Sequence, residues 1–118
     1  MKKLLLILAI FTTLVSAYSV GPKSYNRVIH SKHTVVVKFW APWCLPCSVM
    51  KPEFEAAKRV LGKKVLFAEY NVDLGGVTKL GIHTIPTMLL YINGKLIDKK
   101  IGGASRDEII SWIKSDIK

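Results

Sequence analysis

The feature that most restricts the fold is a buried strand that leads directly into a helix. Residues 34–40 read TVVVKFW, which is β-branched and aromatic with one charge, the pattern of a strand covered on both faces. From Cys44 to about Leu61, apolar residues recur at helical spacing, and Pro52 should bend this helix rather than end it. Cys44 and Cys47, the two cysteines of the chain, lie where the strand gives way to the helix.

The rest of the chain predicts a second strand, a hairpin and a last helix. Residues 65–71 (VLFAEYN) have the pattern of another buried strand. Residues 87–92 and 95–101 flank Asn93-Gly94, a strong signal for a type I′ hairpin turn. Short helices are expected around residues 23–31 and within residues 73–81, and a longer one after the capping box of Ser105 and Glu108. This order predicts an α/β fold, with a central mixed β-sheet flanked by helices on both faces.

Composition limits the classes of protein to which the chain can belong. Its 118 residues are enough for one domain and too few for two cores. Half of the residues are hydrophobic, which excludes an intrinsically disordered chain. The formal net charge of +10 bears on encounter and solubility rather than on chemistry, and we do not expect a nucleic-acid partner.

The first seventeen residues have the pattern of an export signal. Lys2 and Lys3 precede an apolar run, and Val15-Ser16-Ala17 has the small-residue spacing that a signal peptidase recognises. The run is about 12 residues, short of the roughly 20 that cross a bilayer as a helix. We therefore predict a signal peptide at residues 1–17 and a mature domain at residues 18–118, in the periplasm or another compartment outside the cytoplasm. Retention of the segment as a membrane anchor is the alternative.

The spacing of the two cysteines predicts a dithiol redox site. A cysteine at a helix N-terminus faces free backbone N–H groups and the positive end of the helix dipole, which stabilise the thiolate that attacks disulfides. Cys44 is therefore expected to attack the substrate, and Cys47, one turn later, to resolve the mixed disulfide. A merely stabilising disulfide is the first alternative, but so short a loop restricts the unfolded chain little. Half of a metal site is the second, but the site would need two more ligands, and we expect no metal.

Residues from about Thr34 to the C-terminus resemble the thioredoxin family. The resemblance implies a thioredoxin-like fold, a cis Ile85-Pro86 bond beside the cysteines, and substrate binding by Thr84, Ile85, Pro86 and Trp43. An ordinary proline at the start of a strand is the alternative for Pro86. The matching segments are Phe39-Trp40-Ala41-Pro42-Trp43-Cys44, Pro46 before Cys47, Pro52, Asn71 and Asp73, residues 81–87 (GIHTIPT), Asn93-Gly94 and Gly102.

The chain departs from the thioredoxin pattern at two places. Between the cysteines stands Leu45-Pro46, where cytosolic members usually have Gly-Pro, which leaves the direction of electron flow open. Lys38 and Glu69 occupy the positions of a buried aspartate and a lysine, so the charge pair is inverted. We expect Lys38 and Glu69 to form an ion pair, with Glu69 assisting deprotonation of the resolving cysteine. Charged groups that reach solvent past the strand ends are the alternative.

These features predict a thiol:disulfide oxidoreductase that reduces protein disulfides outside the cytoplasm. A chain of this size is expected to act as a monomer, with no cofactor beyond the Cys44–Cys47 disulfide, so electrons should come from a thiol donor in the membrane. A disulfide oxidase or isomerase on the same fold is the first alternative. A redox-inactive peptide-binding module is the second.

Overall fold

The computed structural model describes residues 16–117, which form a five-stranded sheet between two helical layers. Its strands lie in the order β1-β3-β2-β4-β5. The elements along the chain are β1 (Tyr18–Val20), α1 (Tyr25–Ile29), β2 (Thr34–Trp40), α2 (Leu45–Leu61), β3 (Val65–Asn71), the 3-10 turns Val72–Leu74 and Thr78–Leu80, β4 (Thr87–Ile92), β5 (Lys95–Ile101) and α3 (Arg106–Ile117).

The sheet is mixed, as the sequence predicts. Strands β1, β3 and β2 run parallel, with Thr34 beside Val65 and Trp40 beside Asn71. Strands β4 and β5 are antiparallel to their neighbours. The helix α2 connects the parallel strands β2 and β3, because such strands need a crossover.

Two apolar cores cover the faces of the sheet. On one face, α2 and α3 bury Met50, Phe54, Ile109 and Ile113 against inward side chains such as Phe67. On the other face, the short α1 packs Tyr25, Val28 and Ile29 against the sheet. Since both faces are covered, the central strands are mostly apolar, and the one charge within β2, Lys38, is fully enclosed.

Local signals in the sequence explain most element boundaries. Asn93 and Gly94 have φ of 54° and 78°, the two positive values that a type I′ turn requires. Ser105 and Glu108 cap α3 reciprocally: the Glu108 carboxylate accepts from the Ser105 N–H at 2.8 Å, and the Ser105 hydroxyl accepts from the Glu108 N–H at 3.2 Å. Helix α2 continues through Pro52.

The N-terminal region differs from the prediction. The helix expected around residues 23–31 spans only Tyr25–Ile29, and residues 18–20 form an edge strand that the sequence did not indicate. Three residues are too few for an alternating pattern to be visible. Ala17 is buried beside this strand, whereas most of the predicted signal segment lies outside the described residues. Among residues 16–117, no helix is long and apolar enough to cross a membrane.

Candidate active site

Cys44 and Cys47 form a disulfide at the start of α2. Cys44 is the N-cap residue, and its sulfur accepts a hydrogen bond from the Cys47 backbone N–H at 3.2 Å. Pro46 stands in the first turn, where a backbone N–H has no partner within the helix, so the proline costs the helix no hydrogen bond. Once the disulfide is reduced, the same N–H and the helix dipole face the Cys44 sulfur, which favours its thiolate.

The segment before β4 packs against the disulfide. Its Ile85-Pro86 bond is cis, and the Ile85 side chain contacts the cluster formed by Ala41 and the two cysteines. The carbonyl of Thr84 accepts from the Thr87 hydroxyl at 2.8 Å, and that of Pro86 accepts from the Gly102 N–H at 2.8 Å. Among residues 16–117, no hydrogen bond engages the backbone of Ile85. Its N–H and carbonyl are therefore available to an extended peptide.

Trp43 lies on the rim of the site and is 68% exposed. Its indole N–H donates to the Asp73 carboxylate, at 3.0 Å to Oδ1 and 3.2 Å to Oδ2. The Asp73 N–H in turn donates to the side-chain oxygen of Asn71 at 2.9 Å. Asn71, at the end of β3, thus orients Asp73, and Asp73 fixes Trp43 in the loop that precedes Cys44. The faces of the indole ring remain open to solvent.

An ion pair lies beneath the resolving cysteine. Lys38 and Glu69 are register partners on β2 and β3, and Lys38 Nζ is 3.7 Å from Glu69 Oε1. The Lys38 side chain is 2% exposed and the Glu69 side chain 13%. Lys38 Nζ also lies 4.7 Å from the centre of the Phe54 ring, within cation–π distance. The predicted pair is therefore present, and of the two partners the cation is the more enclosed.

A cavity of about 100 Å³ connects this pair to Cys47, with Lys38, Trp40, Cys47, Ser48, Lys51 and Glu69 as its lining. Burial lowers the pKa of Lys38 from 10.5, and the nearby Lys51 acts in the same direction, whereas Glu69 opposes the shift. The cavity therefore holds the groups that proton transfer at Cys47 would use.

The structure brings most of the predicted site residues together around the disulfide. Ile85 packs against the cluster that contains Cys44 and Cys47, and the buried Pro86 follows it in the chain. Trp43 and Thr84 are exposed, and Lys38 and Glu69 line the cavity below Cys47. Sequence reasoning matched Asp73 to the family pattern but missed its bond to Trp43, and it missed Lys51 as a wall of the cavity. Lys51 follows Cys47 by four residues, so helical spacing could have indicated it.

Comparison with known proteins agrees with this geometry. The family profile described as Thioredoxin matches residues 16–115. A thioredoxin of Rickettsia bellii is 36% identical over 104 residues, which cover 86% of this chain and 99% of that protein. A thioredoxin of Griffithsia pacifica is 30% identical over 96 residues, which cover 80% of this chain and 88% of that protein. A solved structure of Plasmodium falciparum thioredoxin superposes with a TM-score of 0.77 at 25% identity, covering 84% of this chain and 98% of that one. The chain therefore belongs to the thioredoxin family of thiol:disulfide oxidoreductases.

Proposed function

We propose that this thioredoxin is exported and reduces protein disulfides outside the cytoplasm as a monomer, with electrons from a thiol donor in the membrane. The observation that carries the proposal is the disulfide at the N-terminus of α2, with the unengaged Ile85 backbone beside it. An attacking thiolate and an edge for peptide pairing are what reduction of a protein disulfide requires. The N-terminal pattern supports export, and residues 1–15 lie outside the family match.

The reaction passes two electrons to the substrate in two exchange steps. The Cys44 thiolate attacks one substrate sulfur, which forms a mixed disulfide and releases the other substrate sulfur as a thiolate. The Cys47 thiolate then attacks Cys44 Sγ, which restores the Cys44–Cys47 disulfide and releases the second substrate thiolate. Glu69 accepts the proton that Cys47 loses, and Lys38 holds the carboxylate in place. A dithiol donor then reduces the Cys44–Cys47 disulfide and is itself oxidised.

Substrate recognition is assigned to the exposed apolar surface around the disulfide. A substrate segment pairs with the backbone of Thr84 and Ile85, and the buried Pro86 holds this backbone in place through its cis bond. Trp43 flanks that segment, and Leu45, which is 74% exposed, adds apolar area where cytosolic members of the family usually have glycine.

The direction of electron flow is tested by the reduction potential of the Cys44–Cys47 couple. A value near about −270 mV fits a reductant, whereas one near about −120 mV fits an oxidase, the alternative on this fold. The buried cation of Lys38 is the observation that favours the oxidase, because positive charge stabilises a thiolate. If Cys44→Ser leaves the biological activity intact, the redox role is wrong and a peptide-binding module is favoured.

Substrates and location need two separate measurements. The variant Cys47→Ser should accumulate mixed disulfides with its substrates, and Cys44→Ser is the matched control that should trap none. The purified protein should have the mass of a chain that begins at Tyr18, and it should be found in a fraction outside the cytoplasm. A full-length species in the membrane fraction would indicate the anchor instead, and one in the cytoplasm would contradict export.

A further inference from the structure

The end of the sheet opposite the disulfide carries three loops side by side. Thr34 is the register partner of both Val65 and Ile92, so β2, β3 and the β4–β5 turn meet at one edge. The His33 carbonyl accepts from the Asn93 N–H at 2.8 Å, which joins two of these loops. We call the loops of residues 30–33, 62–64 and 93–95 the basic pole.

The basic pole has cations and no carboxylates. Lys32, Lys63, Lys64 and Lys95 are all exposed, and among residues 16–117 none of them forms an ion pair. Residues 27–34, 58–65 and 92–95 contain no Asp or Glu. The end with the disulfide is mixed, since Asp73, Asp107 and Glu108 lie there together with Lys79 and with Arg106, which pairs with Asp107. The charge of the molecule is therefore concentrated at the pole away from the active site.

Helix stability explains only part of this charge. Lys58 and Arg59 lie in the last turn of α2, and Arg27 in the last turn of α1, where cations favour the negative end of a helix dipole. Lys63 and Lys64 lie beyond the α2 helix, and Lys95 opens a strand, so no helix end requires them. Repelling charges on neighbouring loops add nothing to the stability of the fold. Their grouping favours an anionic partner.

Strand β1 runs parallel to β3, so its N-terminal end points towards the same end of the molecule. Tyr18, the first residue of β1, pairs with Ala68 in the middle of β3. Ala17 belongs to the same buried cluster as Leu61 and Val65, which flank the loop of residues 62–64. A cavity of about 270 Å³ lies beside Tyr18. Its lining combines two cations with apolar and aromatic groups, namely Tyr18, Arg27, Val28, Ser31, Lys32 and Leu66. An amphipathic ring such as that of Tyr18, 47% exposed, suits the headgroup region of a bilayer.

We propose that the basic pole docks on an anionic lipid bilayer. The lysines attract the lipid phosphates, and the cavity beside Tyr18 accepts one headgroup. The exposed lysines of the basic pole bind the bilayer whether or not the apolar residues that precede Tyr18 in the sequence are retained. Strand β2 separates the two ends by six residues, about 20 Å at 3.3 Å per residue. The disulfide then faces away from the bilayer and is open to soluble substrates.

The test measures partition of the purified full chain onto two kinds of vesicle. One kind contains phosphatidylglycerol with phosphatidylcholine and is anionic. The other contains phosphatidylcholine alone, and binding to it measures the contribution of apolar residues. The pole variant carries Lys32→Gln, Lys63→Gln and Lys64→Gln. Exposed lysines without partners can be replaced without disturbing the core. A urea melt verifies that the variant is as stable as the parent. The control variant carries Lys23→Gln, Lys79→Gln and Lys99→Gln, which change the net charge equally but lie elsewhere.

We expect the parent to bind the anionic vesicles at least about 100-fold more tightly than the neutral ones. Each lysine near such a surface contributes about fivefold to the affinity. The pole variant should therefore bind the anionic vesicles about 100-fold more weakly than the parent, and the control variant only a few-fold more weakly. Salt should weaken the parent more than the pole variant. Equal losses in both variants, or equal binding to both kinds of vesicle, would overturn the proposal. Tighter binding to duplex DNA than to anionic vesicles would also overturn it, in favour of a nucleic acid.

Discussion

The ion pair of Lys38 and Glu69 predicts a strong and unequal response to mutation. At 3.7 Å and an effective dielectric constant near 20, the attraction between the two charges is about 4–5 kcal/mol before the cost of desolvation. Removal of Glu69 would leave the Lys38 ammonium at 2% exposure without a counter-charge, so Glu69→Leu should cost about 3–5 kcal/mol. Lys38→Met leaves the Glu69 carboxylate beside a cavity that water can enter, and should cost about 1–2 kcal/mol.

The double variant Lys38→Met/Glu69→Leu distinguishes the interaction energy of the pair from the cost of removing either charge alone. With both charges removed, none is left unpaired, so its stability should lie within about 1 kcal/mol of the parent. Urea melts of the four oxidised proteins at neutral pH should give a coupling energy of at least about 2 kcal/mol. Lys51 and Glu55 supply the control, because they form a shorter but exposed pair at 3.1 Å, whose coupling should stay below about 0.5 kcal/mol. Equal coupling for the two pairs would refute the reasoning.

A further variant at Glu69 tests the proposed proton transfer. Glu69→Gln keeps a polar side chain of the same size, so it should mainly slow the resolution of the mixed disulfide and change the pH dependence of that step. A merely structural Glu69 would alter stability but leave the pH profile in place. If the profile of Glu69→Gln matches the parent, Glu69 is not the proton acceptor.

Three further predictions concern the thiols, the rim and pH. In the reduced protein at neutral pH, Cys44 should react with iodoacetamide much faster than Cys47, because the helix N-terminus stabilises its thiolate; equal labelling rates by mass spectrometry would contradict the assignment. Trp43→Phe removes the hydrogen bonds to Asp73 at an exposed position, so stability should fall by less than about 1 kcal/mol while kcat/KM for a protein disulfide falls several-fold; loss of both in parallel would mean that Trp43 only supports the fold. Burial lowers the pKa of Lys38 from 10.5, so between the lowered pKa and 10.5 the unfolded chain binds more protons and stability rises with pH. The parent should therefore gain stability relative to Lys38→Met as the pH rises through this window, and urea melts that show a constant or falling difference would refute it.

The sequence predicted the elements whose signals are local and strong. The strand of residues 34–40, the turn at Asn93-Gly94 and the capping box of Ser105 and Glu108 each depend on neighbours within a few positions, and each is present. The edge strand at residues 18–20 escaped prediction because its hydrogen bonds come from β3, distant in the sequence. Local pattern carries no information about such pairing.

The site shows the same division between local and distant information. Helical spacing is enough to place Cys44 and Cys47 on one turn. The bond from Trp43 to Asp73 joins residues on different elements, so neither residue signals it alone. The pairing of Lys38 with Glu69 was reached through the family resemblance, because only a known strand order places β2 beside β3.

On the proposed mechanism, the pair of Lys38 and Glu69 separates two tasks in space. A group that takes a proton from Cys47 and passes it on must reach water, and Glu69, at 13% exposure on the wall of the cavity, has the more open position. A fixed charge has no such need, and Lys38 lies deeper, against the ring of Phe54. An aspartate at position 38 would place the carboxylate in the enclosed position instead. The exchange of Lys and Glu therefore places the cation, rather than the carboxylate, in the enclosed position beneath the disulfide, where its positive charge stabilises the thiolates of the reduced form.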